Sequence, residues 1–134
     1  MSKILVHTEV MGPDFSELVL HELNYEWSRE VVTLADGEAA LQFGMVLMRG
    51  ADGGYAPLTE VAEGEGESQT KKLGGAPVAV LIGVAPASES AQSGVVIRRG
   101  AILNGAALRF DASVTTKQAD AKLALSDLGI VIKE

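Results

Sequence analysis

Two adjacent arginines stand inside an apolar stretch in the C-terminal third of the chain, VVIRRGAILNGAAL from Val95 to Leu108. A guanidinium is always charged, and burying one without a partner is costly. Arg98 and Arg99 must therefore meet a carboxylate, lie at a turn or belong to a site. Gly100 follows them at once and predicts a turn into the next strand. Because adjacent strand positions point to opposite faces, the sequence leaves open which arginine is paired, and whether the carboxylate belongs to the same subunit.

Other residues that could do chemistry lack the spacing that such chemistry needs. His7 and His21 form neither an HxxH nor an HExxH pattern, so surface or interface histidines are expected. Asp36 and Asp52 each precede a glycine, which is typical of hairpin turns, without the ladder of oxygen ligands of a calcium loop. GEGESQ from Gly64 begins like a dinucleotide-binding loop, but glutamine stands in place of the third glycine. We expect no catalytic residue, no metal site and no cofactor.

Composition narrows the classes of function. The 134 residues suffice for one domain with a single core. Cysteine is absent, so no disulfide framework is available and the fold suits a reducing cytoplasm. The net charge of −7 argues against nucleic-acid binding, which depends on lysines and arginines that displace counterions. The longest apolar run, APVAVLIGVAPA, is too short and too interrupted to span a membrane, and the start of the chain lacks the apolar run of a secretory signal.

Glycine placement predicts a fold that is mainly β. The fifteen glycines fall largely in turn-like clusters that separate short apolar segments. The segments REVVTL, GMVLMR, VAVLIGVA and GVVIRR are rich in β-branched residues, as expected of strands that are half or fully buried. The terminal IVIK predicts a last strand.

One short C-terminal helix is predicted in TTKQADAKLALSDLG. Thr115 and Gln118 fit a capping box at its start, and Gly129 fits the C′ position at its end. The helical spacing predicts a shared apolar face for three residues, Ala121, Leu125 and Leu128.

The acidic segment TEVAEGEGESQTKK, residues 59–72, predicts a solvated loop. Four glutamates repel one another there and the glycines add backbone freedom: Glu60, Glu63, Glu65 and Glu67.

The N-terminal region permits more than one interpretation. Pro13 breaks any early element, and Asp14 with Glu17 could cap a helix. ELVLHELNYEW fits a strand by one spacing and a helical turn by another. Tyr25 and Trp27 are two of only six aromatic residues, and they could be core residues or the anchors of an interface.

An ordered set of segments resembles a known family. SREVVTLADGEAALQFGMVLMR from Ser28, YAPL from Tyr55, AVLIGVA from Ala79, VVIRRGAIL from Val95 and the terminal LGIVIKE together resemble the head decoration proteins of tailed bacteriophages, the lambda-type family. The resemblance covers most of the chain from about Leu18 onward. Each motif is weak by itself, and the ordered set is more specific.

The resemblance implies a β-clip-like single domain with an extended N-terminal arm, forming a homotrimer at local three-fold positions of an expanded capsid. Its partners would be the major capsid protein and further copies of itself, with no direct contact to nucleic acid or membrane. It would stabilise the shell against the pressure of packaged DNA, on the outer surface of the virion, after synthesis in the bacterial cytoplasm.

The same resemblance divides the chain into a capsid-binding arm, residues 1–27, and a β-rich trimer-forming domain, residues 28–134. The arm residues expected to bind the capsid are Phe15, Leu18, Leu20, Leu23, Tyr25 and Trp27. The residues of a possible trimer seam are Arg29, Arg98, Arg99 and Gly100.

Two alternatives stay open at this point. One is an enzyme on a trimeric β-clip scaffold of the kind that nucleotide pyrophosphatases use, although an intact phosphate loop is not found in the sequence. The other is a displayed module that binds glycans, for which an aromatic content of 4% is unfavourable.

Overall fold

The computed structural model describes residues 15–37, 40–50 and 53–134. The strands are β1 Val19–Glu22, β2 Arg29–Leu34, β3 Val46–Arg49, β4 Tyr55–Pro57, β5 Glu60–Glu63, β6 Thr70–Leu73, β7 Pro77–Leu81, β8 Gln92–Ile97, β9 Ala101–Asn104 and β10 Ile130–Lys133. Residues 15–18 are helical, the single turn α1 spans Tyr25–Ser28, and the longer α2 spans Gln118–Asp127. Short 3₁₀ turns lie at Gly66–Ser68 and Gly105–Ala107. The predicted mainly β fold with one short C-terminal helix is confirmed.

Five strands close into a barrel in the order β2, β4, β3, β7, β8. Strand β2 runs antiparallel to β8 along its whole length and meets β4 in parallel at one position. Alternate β2 residues point inward, as the period of two in REVVTL requires, and Val32 and Leu34 are buried with Leu47, Leu81 and Val96. The four predicted strand segments and the terminal IVIK are all strands in the structure.

A three-stranded sheet packs beside the barrel in the order β1, β9, β10. Strand β9 is central, antiparallel to β1 and parallel to β10. The inner face of this sheet and the covering helix α2 share one apolar cluster with the outside of the barrel; its members include Leu18, Val19, Val46, Val80, Ile97, Leu103, Ala121, Leu125 and Ile130. The barrel and the sheet are therefore held together by a shared core.

Helix α2 confirms part of its sequence prediction. Ala121 and Leu125 are buried, whereas Leu128 is the C-cap residue and is 40% exposed. Gly129 has φ +87° and takes the C′ position as predicted. The predicted capping box is wrong: no side chain of the helix caps it at its start, and the Gln118 amide donates to the carbonyl of Val114.

The start of α2 is instead capped by Glu60, from a distant part of the chain. Its carboxylate accepts backbone N–H bonds from Thr115, Thr116 and Lys117 at 3.2, 2.9 and 2.9 Å, and a 2.7 Å bond from the Thr116 hydroxyl. The Thr116 hydroxyl, with those three amides, holds the pKa of Glu60 below its ordinary 4.5 against the opposing effect of desolvation. One carboxylate thus fixes the turn that leads into α2 and satisfies the N–H of its N-cap residue, Lys117.

The prediction of a solvated loop at residues 59–72 is wrong. Strands β5 and β6 form an antiparallel hairpin with four paired rows, from Glu60 opposite Leu73 to Glu63 opposite Thr70. Lys72 binds Glu63 at 2.6 Å across the hairpin, which reduces the repulsion expected there. Glu60, counted as one of the repelling carboxylates, is buried.

The segment ELVLHELNYEW contains both helical and strand residues, so the helix and strand interpretations each apply to part of it. Residues 15–18 are helical, β1 follows, and the single turn α1 then leads into β2. His7, Pro13 and Asp14, on which other expectations rested, lie outside the described residues, as does Asp52.

Candidate functional site

Four large apolar side chains are exposed along one short segment between residues 20 and 27. Leu23 is 70% exposed, Tyr25 61%, Trp27 50% and Leu20 48%. Single exposed apolar residues are common on protein surfaces, but four within eight positions of an acidic chain concentrate apolar surface in one segment. We call Leu20, Leu23, Tyr25 and Trp27 the arm patch.

Local hydrogen bonds fix the backbone that carries the arm patch. Strand β1 pairs with β9, and the Leu23 amide continues this contact with a 2.9 Å bond to the carbonyl of Gly100. Asn24 then caps the helical turn α1, because its side chain accepts a 2.9 Å bond from the amide of Glu26. The turn redirects the chain from β1 into β2 and leaves Tyr25 and Trp27 facing outward.

A carboxylate of β1 ties this segment to the start of β2. Glu22 accepts two bonds from the Arg29 guanidinium, at 3.1 and 2.8 Å, and a 2.6 Å bond from the hydroxyl of Ser28. The bonds from Arg29 are the main cause that holds the pKa of Glu22 below its ordinary 4.5, with Ser28 adding to them and partial burial opposing them. A two-point arginine–carboxylate pair also fixes orientation, so the segment is held in one geometry.

The same guanidinium contacts two aromatic rings. The Arg29 Cζ lies 4.8 Å from the ring centre of Phe15 and 5.7 Å from that of Tyr25, both within cation–π range. Arg29 therefore contacts Phe15, ahead of β1, and the exposed Tyr25, after β1, in addition to binding Glu22.

The arginine pair that follows β8 meets a carboxylate within the subunit, which was one of the two alternatives that the sequence left open. Arg99 binds Glu30 at 3.0 Å and donates a 2.7 Å bond to the carbonyl of Trp27. Arg98 approaches the same Glu30 at 3.4 Å and donates a 2.8 Å bond to the hydroxyl of Tyr55. Both arginines reach one carboxylate because β8 ends at Ile97, so the alternation of a strand does not apply to them.

Trp27 and Gly100 are in direct contact. The six-membered part of the indole lies where a Cβ at position 100 would stand, and Gly100 has φ +61°. A glycine is required there by both the close approach and the left-handed backbone. Gly129, next to the exposed Leu128, also approaches Gly100, so the arm, the β8–β9 turn and the end of α2 meet at this point.

The ten predicted site residues therefore fall into distinct environments. Leu18 is buried in the shared core and Phe15 is half-buried against it, so both hold the segment to the body. The other four arm residues form the arm patch. The predicted seam residues Arg29, Arg99 and Gly100 directly contact this segment, whereas Arg98 binds Glu30 and the Tyr55 hydroxyl.

Sequence reasoning missed the carboxylates that organise the site. Glu22 and Glu30 each bind arginine, and Ser28, Arg29 and Glu30 form the Ser-Arg-Glu start of the resembling segment. That three-residue motif was the available signal, since every side chain in it takes part in a contact around the arm.

Within the described part of the chain, groups of three or more histidine, aspartate and glutamate side chains that could hold a metal ion are not found. No helix among the described residues is both long and apolar enough to cross a membrane.

Comparison with known proteins identifies one family. The family model of the bacteriophage lambda head decoration protein D matches residues 8–130. A search among curated proteins finds no match.

Proposed function

Because the chain belongs to the family of the bacteriophage lambda head decoration protein D, we propose that it acts as a homotrimer that clamps the expanded capsid at its local three-fold positions. Membership makes it a structural virion protein that binds the capsid, not an enzyme, and places it on the outer surface of the phage capsid.

The arm patch is the proposed contact with the major capsid protein, and its exposure is the observation that carries the proposal. Fully burying a large apolar side chain stabilises a complex by about 1.5–3 kcal/mol. Leu23, Tyr25 and Trp27 are mostly or half exposed in the isolated subunit, so this free energy is still to be gained. Aromatic residues with apolar neighbours are also the usual anchors of interfaces.

The fixed geometry of the segment favours binding. Glu22, Arg29 and Asn24 hold the backbone around the patch by hydrogen bonds, so little side-chain and backbone freedom has to be lost on contact. We propose that residues 1–14 extend this contact, and that residues 1–27 together form the capsid-binding arm.

Three linked subunits would convert a modest contact into firm attachment. Once one arm of a trimer is bound, the other two bind at a high effective concentration. A trimer whose three arms contact neighbouring capsid subunits would oppose their separation, and this is how it would stabilise the shell against the pressure of packaged DNA.

Three of the residues proposed for the trimer seam are arginines, and each is bound to a glutamate of the same chain: Arg29, Arg98 and Arg99. We propose that these internal pairs keep the charged groups fixed near the trimer contact.

Co-sedimentation of the purified protein with expanded, undecorated shells of the corresponding capsid protein tests the proposal. We expect saturable binding in multiples of three per local three-fold position, and a higher disruption temperature for decorated shells. Saturation at one copy per position would contradict the trimer, and unchanged shell stability would contradict the stabilising role. A variant without residues 1–14 measures how much those residues contribute to shell binding. Removing residues 1–27 would also delete Leu18 and Val19 from the core.

A further inference from the structure

Charged and polar side chains line one end of the β-barrel. Arg49, the last residue of β3, pairs across the sheet with Tyr55, the first residue of β4, and Glu30 of β2 pairs with the buried Val96 of β8. Cross-strand partners point to the same face, so Arg49 and Glu30 lie on the face that forms the barrel core. Arg98, directly after β8, donates to the Tyr55 hydroxyl. We call Glu30, Arg49, Tyr55 and Arg98 the barrel mouth.

Guanidiniums outnumber carboxylates around the barrel mouth. Arg98 and its neighbour Arg99 share the single carboxylate of Glu30, at 3.4 and 3.0 Å. Arg49 forms no ion pair with any carboxylate of the described residues. Asp52, close to Arg49 in the sequence, lies outside the described residues, and a bond from it would still leave three guanidiniums to two carboxylates. Three of the five arginines of a chain with a net charge of −7 therefore meet at one end of the barrel.

Arg98 is incompletely paired. Its Nη1 donates to the Tyr55 hydroxyl at 2.8 Å but reaches both oxygens of Glu30 only at 3.4 Å, which is long for a hydrogen bond. Its Nε is the one buried side-chain nitrogen or oxygen of the described residues that has no hydrogen-bond partner. A partly desolvated cation with weak pairing attracts an anion more strongly than a solvated cation does. The Arg98 side chain is 25% exposed, so an anion can approach it from solvent.

Arg49 and Arg98 lie close enough to act on one ligand. Their guanidinium carbons are 5.3 and 5.8 Å from the ring centre of Tyr55, both within cation–π range. Tyr55 is buried, whereas Arg49 is exposed. The tyrosine ring therefore lies beneath the two guanidiniums and holds them on one side of the barrel end.

We infer that the barrel mouth binds a carboxylate of an acidic protein segment, between Arg49 and Arg98. Glu30 already bridges Arg98 and Arg99, so a carboxylate fits between neighbouring guanidiniums of this cluster. A second carboxylate would balance part of the remaining positive charge. The mouths of β-barrels are also common places for ligand sites. This site goes beyond the proposed capsid clamp, because neither the arm patch nor a second copy of the chain contributes a residue to it.

Binding of a fluorescein-labelled peptide of six glutamates to the full chain tests the site. Fluorescence anisotropy gives the affinity, at low ionic strength because salt screens exposed charges. Arg49→Gln removes one side of the site. Arg109→Gln is the matched control, since this exposed arginine lies beside the start of β3, whereas Arg49 ends that strand. Both variants change the net charge equally. We expect at least about a tenfold loss of affinity for Arg49→Gln and an unchanged affinity for Arg109→Gln.

Three results would overturn the inference. One is a parent protein that does not bind the peptide, and another is an equal loss for both variants, which would mean that only net charge matters. The third is inorganic phosphate displacing the peptide at lower concentration than glutarate, which would assign the barrel mouth to phosphate. Circular dichroism checks the fold of each variant. If Arg49→Gln fails to fold, Arg49→Lys takes its place, because lysine keeps the charge without the planar fork, and an unchanged affinity of that variant overturns the inference equally.

Discussion

The indole ring of Trp27 lies against Gly100, in the space that the side chain of any other residue at position 100 would enter. This contact joins the arm segment to the turn between β8 and β9. It explains why an arginine pair is followed at once by glycine: Arg99 binds the backbone of Trp27, and the next residue makes room for its ring. Arg99 and Gly100 therefore hold the segment of residues 20–27 against the rest of the subunit.

Gly100→Ala should displace Trp27 and destabilise the fold. A non-glycine residue in the left-handed region costs about 1–2 kcal/mol, and the overlap with the ring adds to this. Trp27 is the only tryptophan, so the fluorescence of the isolated protein reports on this contact alone. We expect a shifted emission maximum and a lower midpoint of urea unfolding. Gly37→Ala, where the added Cβ would meet no atom within 4 Å, should change neither; an unshifted Gly100→Ala would contradict the contact.

Stability should fall as the pH drops below about 4.5, the ordinary pKa of a glutamate here. The pKa values of Glu22 and Glu60 are lowered in the folded protein, so the unfolded chain takes up protons first as the pH falls. Their contribution is present above the unfolded value and is lost as the pH falls through the folded value. Unfolding midpoints measured from pH 7 to pH 3 give this dependence.

Glu22→Gln isolates one part of that pH dependence. The amide cannot form the charged pair with Arg29, so we expect a loss of about 1–2 kcal/mol at pH 7. The difference from the parent protein should shrink as the pH falls through the lowered folded pKa of Glu22, below which the carboxyl is protonated in both states. A constant difference across the pH range would mean that the charge of Glu22 is not what stabilises this segment.

Glu60→Gln should weaken the start of helix α2. The amide retains one acceptor oxygen, but it cannot serve three backbone amides and the Thr116 hydroxyl as a carboxylate does. We expect a lower thermal midpoint in the far-ultraviolet circular dichroism signal. Glu63→Gln, three residues further along the same hairpin and exposed, is the control that should leave the midpoint nearly unchanged. Equal midpoints for the two variants would remove Glu60 from this role.

The strands could be predicted from the sequence because their signal is local. REVVTL alternates between buried and exposed positions, and it forms β2 from Arg29 to Leu34 as expected. The helix could be predicted for the same reason. Its start could not, since the group that caps it, Glu60, lies more than fifty residues earlier in the chain.

For the arginine pair, too, the sequence predicted the local features but not the partner that is distant in the chain. The cost of a buried guanidinium correctly predicted that a carboxylate would be near, and Gly100 correctly predicted the turn. Which carboxylate it is depends on the pairing of β2 with β8, which brings Glu30 opposite Val96. The hairpin of residues 60–73 was missed because repulsion among exposed glutamates is weak in water, and strand pairing with Lys71 and Lys72 outweighs it.

The most direct test of the account compares two leucines of equal exposure. Leu23 in the arm patch is 70% exposed and Leu123 on helix α2 is 68% exposed, so aspartate at either position should disturb the isolated subunit equally little. Binding to expanded, undecorated shells would be measured by co-sedimentation for Leu23→Asp, Leu123→Asp and the parent protein, each shown to be folded. We predict at least about a tenfold loss of affinity for Leu23→Asp alone, the equivalent of one buried apolar contact in each bound arm. Full binding by Leu23→Asp, or an equal loss for Leu123→Asp, would contradict the arm patch as the capsid contact.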